Sequence, residues 1–141
     1  VTGSDRIVAD ASLVLAVLLP EAHSDEARAV LAGADEVHAP DLLLYEVVSA
    51  LRMHVVRGTL TIAEAETKGA EAHDAPLLLT GARELDAHAL SLAHVLGHSA
   101  YDCFYLALAI ERECVLVTGD RGLASAARAI GLGTHVRLLG A

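Results

Sequence analysis

Ile7-Val8-Ala9-Asp10-Ala11-Ser12-Leu13-Val14-Leu15-Ala16-Val17-Leu18-Leu19-Pro20 is the stretch that decides the fold class. Three apolar residues stop at an acid. Ser12 can then cap a helix to about Leu19, where Pro20 breaks it. A wholly apolar strand that runs straight into a helix starts an α/β unit rather than a hairpin. The apolar run Leu13 to Leu19 has seven residues. A membrane span needs ~18 or more. The run follows Asp5 and Asp10 rather than a basic lead, so it does not read as a signal peptide either.

The same alternation continues outward. Strands are predicted at Ile7 to Ala9, Glu36 to Ala39 (closed by Pro40), Pro76 to Leu79, Cys114 to Thr118 and Thr134 to Leu138. Further helices are predicted at Ser24 to Ala32, from an Asp41 cap to Arg57, and from the capping box Thr61-Ile62-Ala63-Glu64 to His73. Others run from Arg83 to Leu96, from Ser99-Ala100-Tyr101-Asp102 through Glu111, and from Gly122 to Ile130. Short apolar strands suit a parallel sheet buried on both faces, and every connection is long enough for a right-handed crossover. The expectation is one domain over residues 1–141, a three-layer α/β/α sandwich. Residues 1–5 read as a disordered lead or an expression scar.

The 141 residues are 54% hydrophobic and 21% charged, which excludes a disordered or low-complexity chain. Mean hydropathy is +0.47. Cys103 and Cys114 lie in apolar surroundings and form no C-x-x-C, so they read as reduced core thiols of a cytoplasmic protein. Ten basic against nineteen acidic residues give a net charge of −9. That argues against nucleic-acid binding through a broad basic field and favours a cationic partner, a bound metal, or both.

Four acids stand against their local pattern. Asp10 and Asp120 each follow the C-terminal end of an apolar strand, where parallel α/β sheets place ligands. Glu46 lies inside Leu42-Leu43-Leu44-Tyr45-Glu46-Val47-Val48, with no cation at helical spacing, so a cation from elsewhere is expected to reach it. Asp102 sits in the first turn of an apolar helix, where a capping role competes with a functional one. Asp120 can likewise cap the helix at Gly122. Four carboxylates within ~5 Å of one another would repel by roughly 3 kcal/mol per pair at an effective dielectric of 20. They coexist only if some are protonated or a divalent cation binds. Oxygen-only ligation fits Mg²⁺ or Mn²⁺ rather than zinc.

Taken in order, four segments resemble a PIN domain of the VapC toxin type. They are Val8-Ala9-Asp10-Ala11-Ser12, Ala39-Pro40-Asp41-Leu42-Leu43-Leu44-Tyr45-Glu46-Val47, Ser99-Ala100-Tyr101-Asp102-Cys103-Phe104-Tyr105-Leu106-Ala107-Leu108-Ala109 and Leu116-Val117-Thr118-Gly119-Asp120-Arg121-Gly122-Leu123. The resemblance covers Ile7 to about Leu138. It implies a five-stranded parallel sheet in order 3-2-1-4-5, with Asp10 beside Asp120 at the switch point. It implies that Asp10, Glu46, Asp102 and Asp120 bind Mg²⁺ or Mn²⁺, supported by Ser12 and Thr118. The implied activity is endoribonuclease cleavage of tRNA, rRNA or mRNA by in-line attack of an activated water, leaving 5′-phosphate and 3′-hydroxyl ends. The implied partners are a VapB-type antitoxin with a basic C-terminal segment and a second copy of the chain. Gly119 departs from the bulkier residue often found there, which predicts a looser Asp120 loop.

Other signals are weaker. Tyr45, Tyr101, Phe104 and Tyr105 are the only aromatics, and they read as core or dimer packing before base stacking. His94 and His98 are four apart, but Gly97 ends the helix between them, so the pair is not read as a metal site. Arg52, Arg57, Arg112 and Arg121 offer an RNA-facing rim, although exposed charge is the simpler reading. A receiver-like regulatory module wants a second acid near strand 1 and a late lysine, whereas the one lysine is Lys68. A D-x-D phosphatase lacks its second acid at Ser12. A catalytically weak PIN scaffold for RNA or protein is the remaining alternative.

Overall fold

The structure, a computed structural model, describes residues 5–141. The strands β1 (Arg6–Ala9), β2 (Glu36–Pro40), β3 (Leu77–Thr80), β4 (Val115–Thr118) and β5 (Val136–Leu138) form one sheet in the order β3-β2-β1-β4-β5. All four pairings are parallel. The helices are α1 (Ala11–Leu18), α2 (Ser24–Gly33), α3 (Leu42–Val56), α4 (Ile62–Asp74), α5 (Asp86–Leu96), α6 (Ala100–Glu111) and α7 (Arg121–Ala129).

Strand order steps one way from β1 to β3 and the other way from β3 to β5. Right-handed crossovers therefore deliver α1–α4 to one face of the sheet and α5–α7 to the other. Contacts follow this division. α1 packs on α2, α3 and α4, whereas α5 packs on α6, which lies over β1, β2 and β4. The core between the layers is aliphatic, with Leu13, Leu43, Leu106, Leu108 and Leu116 fully buried. Cys103 and Cys114 are free and buried. Among the described residues no helix is long and apolar enough to cross a membrane.

Register places the chemistry. Ala9 pairs with Val117, so Asp10, leaving the sheet after β1, stands beside Thr118, the last residue of β4. This is the point where the strand order reverses, at the carboxyl ends of β1 and β4.

Several local expectations are corrected. Asp5, part of the expected lead, pairs with Asp35: its N–H donates to Asp35 Oδ2 at 2.9 Å and its carbonyl accepts from the Asp35 N–H at 2.8 Å. Residues 1–4 of the expected lead lie outside the described residues. The segment from Arg83 to Leu96 is not one helix. A 3₁₀ turn at Ala82–Glu84 precedes Leu85, which dives into the core, and α5 starts only at Asp86. A second 3₁₀ turn at Gly133–His135 shortens β5. β3 is a sheet edge, and its Leu78 and Leu79 are 48% and 44% exposed rather than buried on both sides.

Caps differ too. Asp10, not Ser12, caps α1, because the strand ends at Ala9 and helical geometry begins at Ala11. Asp41 makes no capping bond through its side chain, since its own backbone is already helical. Ser99 makes none either. The Thr61/Glu64 capping box is present in full.

Candidate metal centre

Asp10 is the buried end of the site, only 8% exposed. Its Oδ1 accepts from the Leu13 N–H at 3.0 Å and from the Ser12 hydroxyl, and its Oδ2 accepts from the Thr118 hydroxyl. Each hydroxyl is itself held. Ser12 Oγ accepts from the Gly119 N–H at 2.8 Å, and Thr118 Oγ1 accepts from the Asp120 N–H at 2.9 Å. Two relays therefore run from the β4–α7 turn to the two oxygens of one carboxylate. Three of the roughly four acceptor positions on that carboxylate are taken, which leaves one on Oδ2.

Gly119 belongs to this device. A Cβ there would stand 3.3 Å from Ser12 Oγ and 3.5 Å from Ser12 Cβ. The bare Cα lets the two turns approach, so the glycine tightens the Asp120 loop where the sequence suggested loosening. Burial pushes the Asp10 carboxyl above the usual carboxylate range. The Asp102 charge adds to the rise, and the three hydrogen bonds oppose it.

Glu46 projects from the second turn of α3 and is half-buried. Among the described residues no Lys, Arg or His side chain pairs with it. The Tyr105 hydroxyl on α6 donates to Glu46 Oε1 instead. Burial raises the Glu46 carboxyl, the Tyr105 hydrogen bond opposes this, and the charges of Asp102 and Asp10 raise it further. Tyr105 is buried, and its phenol is pushed well above its ordinary value by burial and by the acids around it. It stays a hydrogen-bond donor. Asp10, Glu46 and Asp102 thus feel one another's charge.

Asp102 and Asp120 form the open end, with side chains 32% and 39% exposed. Asp120 Oδ1 caps α7 by accepting from the Leu123 N–H at 3.0 Å. Between the two acids stands His98. Its Nε2 lies 2.9 Å from Asp102 Oδ2 and 3.8 Å from Asp120 Oδ2. Among the described residues, His98, Asp102 and Asp120 are the one group of three or more His, Cys, Asp and Glu side chains whose ligand atoms all lie within 4.8 Å of each other. Sequence spacing missed His98 because it was weighed against His94, its neighbour on an ideal helix. Gly97 caps α5 in the left-handed region, at φ 63°, and turns His98 away from that helix and over the start of α6.

The donor set suits a divalent cation. Carboxylate oxygens with one imidazole nitrogen converge at the sheet's carboxyl end, and among the described residues no Lys or Arg pairs with these acids. Of the proposed arginine rim, Arg112 is engaged elsewhere, pairing with Glu84 at 3.4 Å. Tyr45 and Tyr101 are 74% and 64% exposed, whereas Tyr105 is buried and Phe104 packs partly buried against the core. Tyr45, Tyr101 and Phe104 line one open pocket with Asp41, Leu42 and Ala82.

Comparisons with known proteins bear on the family and the fold. The PIN domain family model matches residues 7–129. The chain is 36% identical over 128 residues to ribonuclease VapC3 of Pyrobaculum aerophilum, covering 84% of this chain and 92% of that protein. The crystal structure of PAE2754 from Pyrobaculum aerophilum is similar with a TM-score of 0.68 at 26% identity, over 86% of this chain and 78% of that one. Mycobacterium tuberculosis VapC20, a sarcin-ricin loop cleaving toxin, shares the fold with a TM-score of 0.66 at 16% identity, over 85% and 94% of the two chains.

Proposed function

This chain belongs to the PIN domain family, in its VapC group, and from that premise we propose that it is a metal-dependent endoribonuclease, the toxin of a toxin–antitoxin pair. The observation that carries this reading is the doubly relayed Asp10 carboxylate at the sheet's switch point, near enough to Glu46 and Asp102 for their charges to act on one another. Residues 1–141 act as one catalytic domain in the cytoplasm.

Asp10, Glu46, Asp102 and Asp120 hold Mg²⁺ or Mn²⁺. When bound, the ion polarises the scissile phosphate and makes an attacking water acidic. Ser12 and Thr118 fix the Asp10 carboxylate, so no reorganisation is needed when substrate arrives. Glu46, with its carboxyl raised by burial and like charge, is suited to accept a proton from the attacking water. Tyr105 keeps that carboxylate aimed. Exposed Tyr45 and Tyr101 are suited to stack on bases of a tRNA, rRNA or mRNA strand.

Two protein partners follow from the same reading. The net charge of −9 and the open acids suit a VapB-type antitoxin whose basic C-terminal segment places an arginine among the carboxylates. Inhibition should weaken as Mg²⁺ rises. Exposed apolar side chains on α3 and α4, including Val48, Val56 and Ile62, suit burial against a second copy of the chain.

The test is cleavage of a synthetic RNA by the purified chain in Mn²⁺. Products with 5′-phosphate ends, lost on adding EDTA, support the proposal. Cleavage that survives EDTA, or ends of a 2′,3′-cyclic phosphate, would sink it.

A further inference from the structure

Resting on that reading of the site, we propose that His98 is a nitrogen ligand of the catalytic ion and biases the site toward Mn²⁺ over Mg²⁺. Three ligand atoms from three separate segments meet here: the turn after α5, the first turn of α6 and the turn after β4. The two separations from His98 Nε2, 2.9 and 3.8 Å, fit a shared ion. Donors 2.0–2.2 Å from one centre stand roughly 2.9–4.3 Å apart.

The surroundings favour this placement. Asp102 occupies an acid position that would close a capping box, yet Ser99 makes no capping bond and Asp102 turns its Oδ2 to His98. Asp120 spends Oδ1 on its cap and leaves Oδ2 toward the imidazole. A Cβ at Gly122 would stand 3.7 Å from His98 Cε1 and 3.3 Å from Asp120 Oδ1. The tighter approach is to the Asp120 carboxylate, while the ring lies at ordinary contact distance from this turn of α7.

Chemistry then sets the preference. Mg²⁺ is a hard ion that takes oxygen ligands and dehydrates reluctantly. Imidazole nitrogen favours first-row transition ions, among which Mn²⁺ is the mildest. One nitrogen among carboxylates keeps Mg²⁺ admissible while rewarding Mn²⁺. The competing role is a charged imidazolium that simply neutralises Asp102 and Asp120. The two roles predict opposite effects of removing the ring, because a counter-charge repels any incoming cation.

The experiment uses the full chain, stripped of metal, with Mn²⁺ and Mg²⁺ as probes. Pulsed EPR of the Mn²⁺-loaded parent should show nitrogen hyperfine coupling, and His98→Gln should lose it. By calorimetry, His98→Gln should weaken Mn²⁺ binding by about tenfold and change Mg²⁺ binding by less than about threefold. Thermal melting of the metal-free variant checks its fold, and the EPR of the parent stands without any variant. A parent with no nitrogen coupling, or a variant that binds both ions more tightly, overturns the ligand role. If Mn²⁺ bound through oxygen alone still supports RNA cleavage, His98 is excluded and the nuclease reading stands. Nitrogen-coupled Mn²⁺ without RNA cleavage keeps His98 and removes the nuclease. A parent that binds neither ion overturns both.

Discussion

Asp10 and Asp120 each close a parallel strand, and each caps the next helix by accepting from the N–H three residues on, at 3.0 Å in both cases. From there they diverge. Asp10 is buried, and two hydroxyl relays hold its carboxylate. Asp120 is partly exposed, and its second oxygen looks toward His98. The local device is the same, but the surroundings make one acid a fixed point and leave the other open to exchange. The fixed acid bears the cost of burial, which neutral donors offset. On the proposed reading, the open acid is where a cation or an antitoxin's arginine would enter.

Catalysis offers the sharpest way to break this contrast. Asp10→Asn keeps the size and loses the charge of the fixed acid. It should cut RNA cleavage by roughly 10²–10³-fold, the scale for losing one preorganised charged group at a reacting centre. Far-ultraviolet circular dichroism should show the fold intact. Asp120→Asn should cost less, on the order of tenfold. Equal losses in single-turnover cleavage would erase the distinction between the two acids.

Stability probes the fixed half directly. Thr118→Val keeps the shape of a fully buried side chain but leaves Asp10 Oδ2 and the Asp120 N–H without their hydroxyl partner. The cost should be about 1–3 kcal/mol by urea unfolding. No loss would mean that the relay is incidental.

A gentler probe is pH. Asp10 and Glu46 are both raised in the folded chain, so the native state holds more protons than the unfolded one between the ordinary and the raised values. In metal-free protein, stability is then fully present below the ordinary carboxylate range, about pH 4, and falls as pH rises through the raised values. Asp10→Asn should flatten that fall. A slope unchanged in the variant, followed by thermal melting at graded pH, would contradict the burial argument. The smallest effect is expected far from the site, where Glu66→Gln on exposed α4 should change stability by less than about 0.5 kcal/mol and leave cleavage alone.

Much of this arrangement was readable before any coordinates. Apolar runs that stop at an acid mark Asp10 and Asp120, because a buried parallel strand tolerates polarity only where it leaves the sheet. The strand order came from family resemblance, and the pairings bear it out. What could not be read depends on where separate segments meet. Tyr105 looked like any core aromatic, yet its hydroxyl crosses from α6 to Glu46 on α3. His98 was discounted because helical spacing says nothing once Gly97 turns the chain. Gly119 reads as a loose end in the sequence, yet its N–H donates to Ser12 Oγ and a Cβ there would stand 3.3 Å from that oxygen. Local competition hid the rest. Asp10 and Ser12 are both good caps, and only the exact end of β1 chooses between them.

The central claim is that one divalent ion both relieves the crowded carboxylates and enables cleavage. Titrating metal-free protein with Mn²⁺, while following melting temperature and RNA cleavage in the same solutions, tests it most directly. The two signals should rise together with a shared midpoint, since an ion that binds only the folded state stabilises it by mass action, about 2.7 kcal/mol at a hundred times its Kd. Asp102→Asn should move both curves to higher Mn²⁺. Cleavage without added metal in EDTA, or full cleavage with no change in melting, would contradict the account.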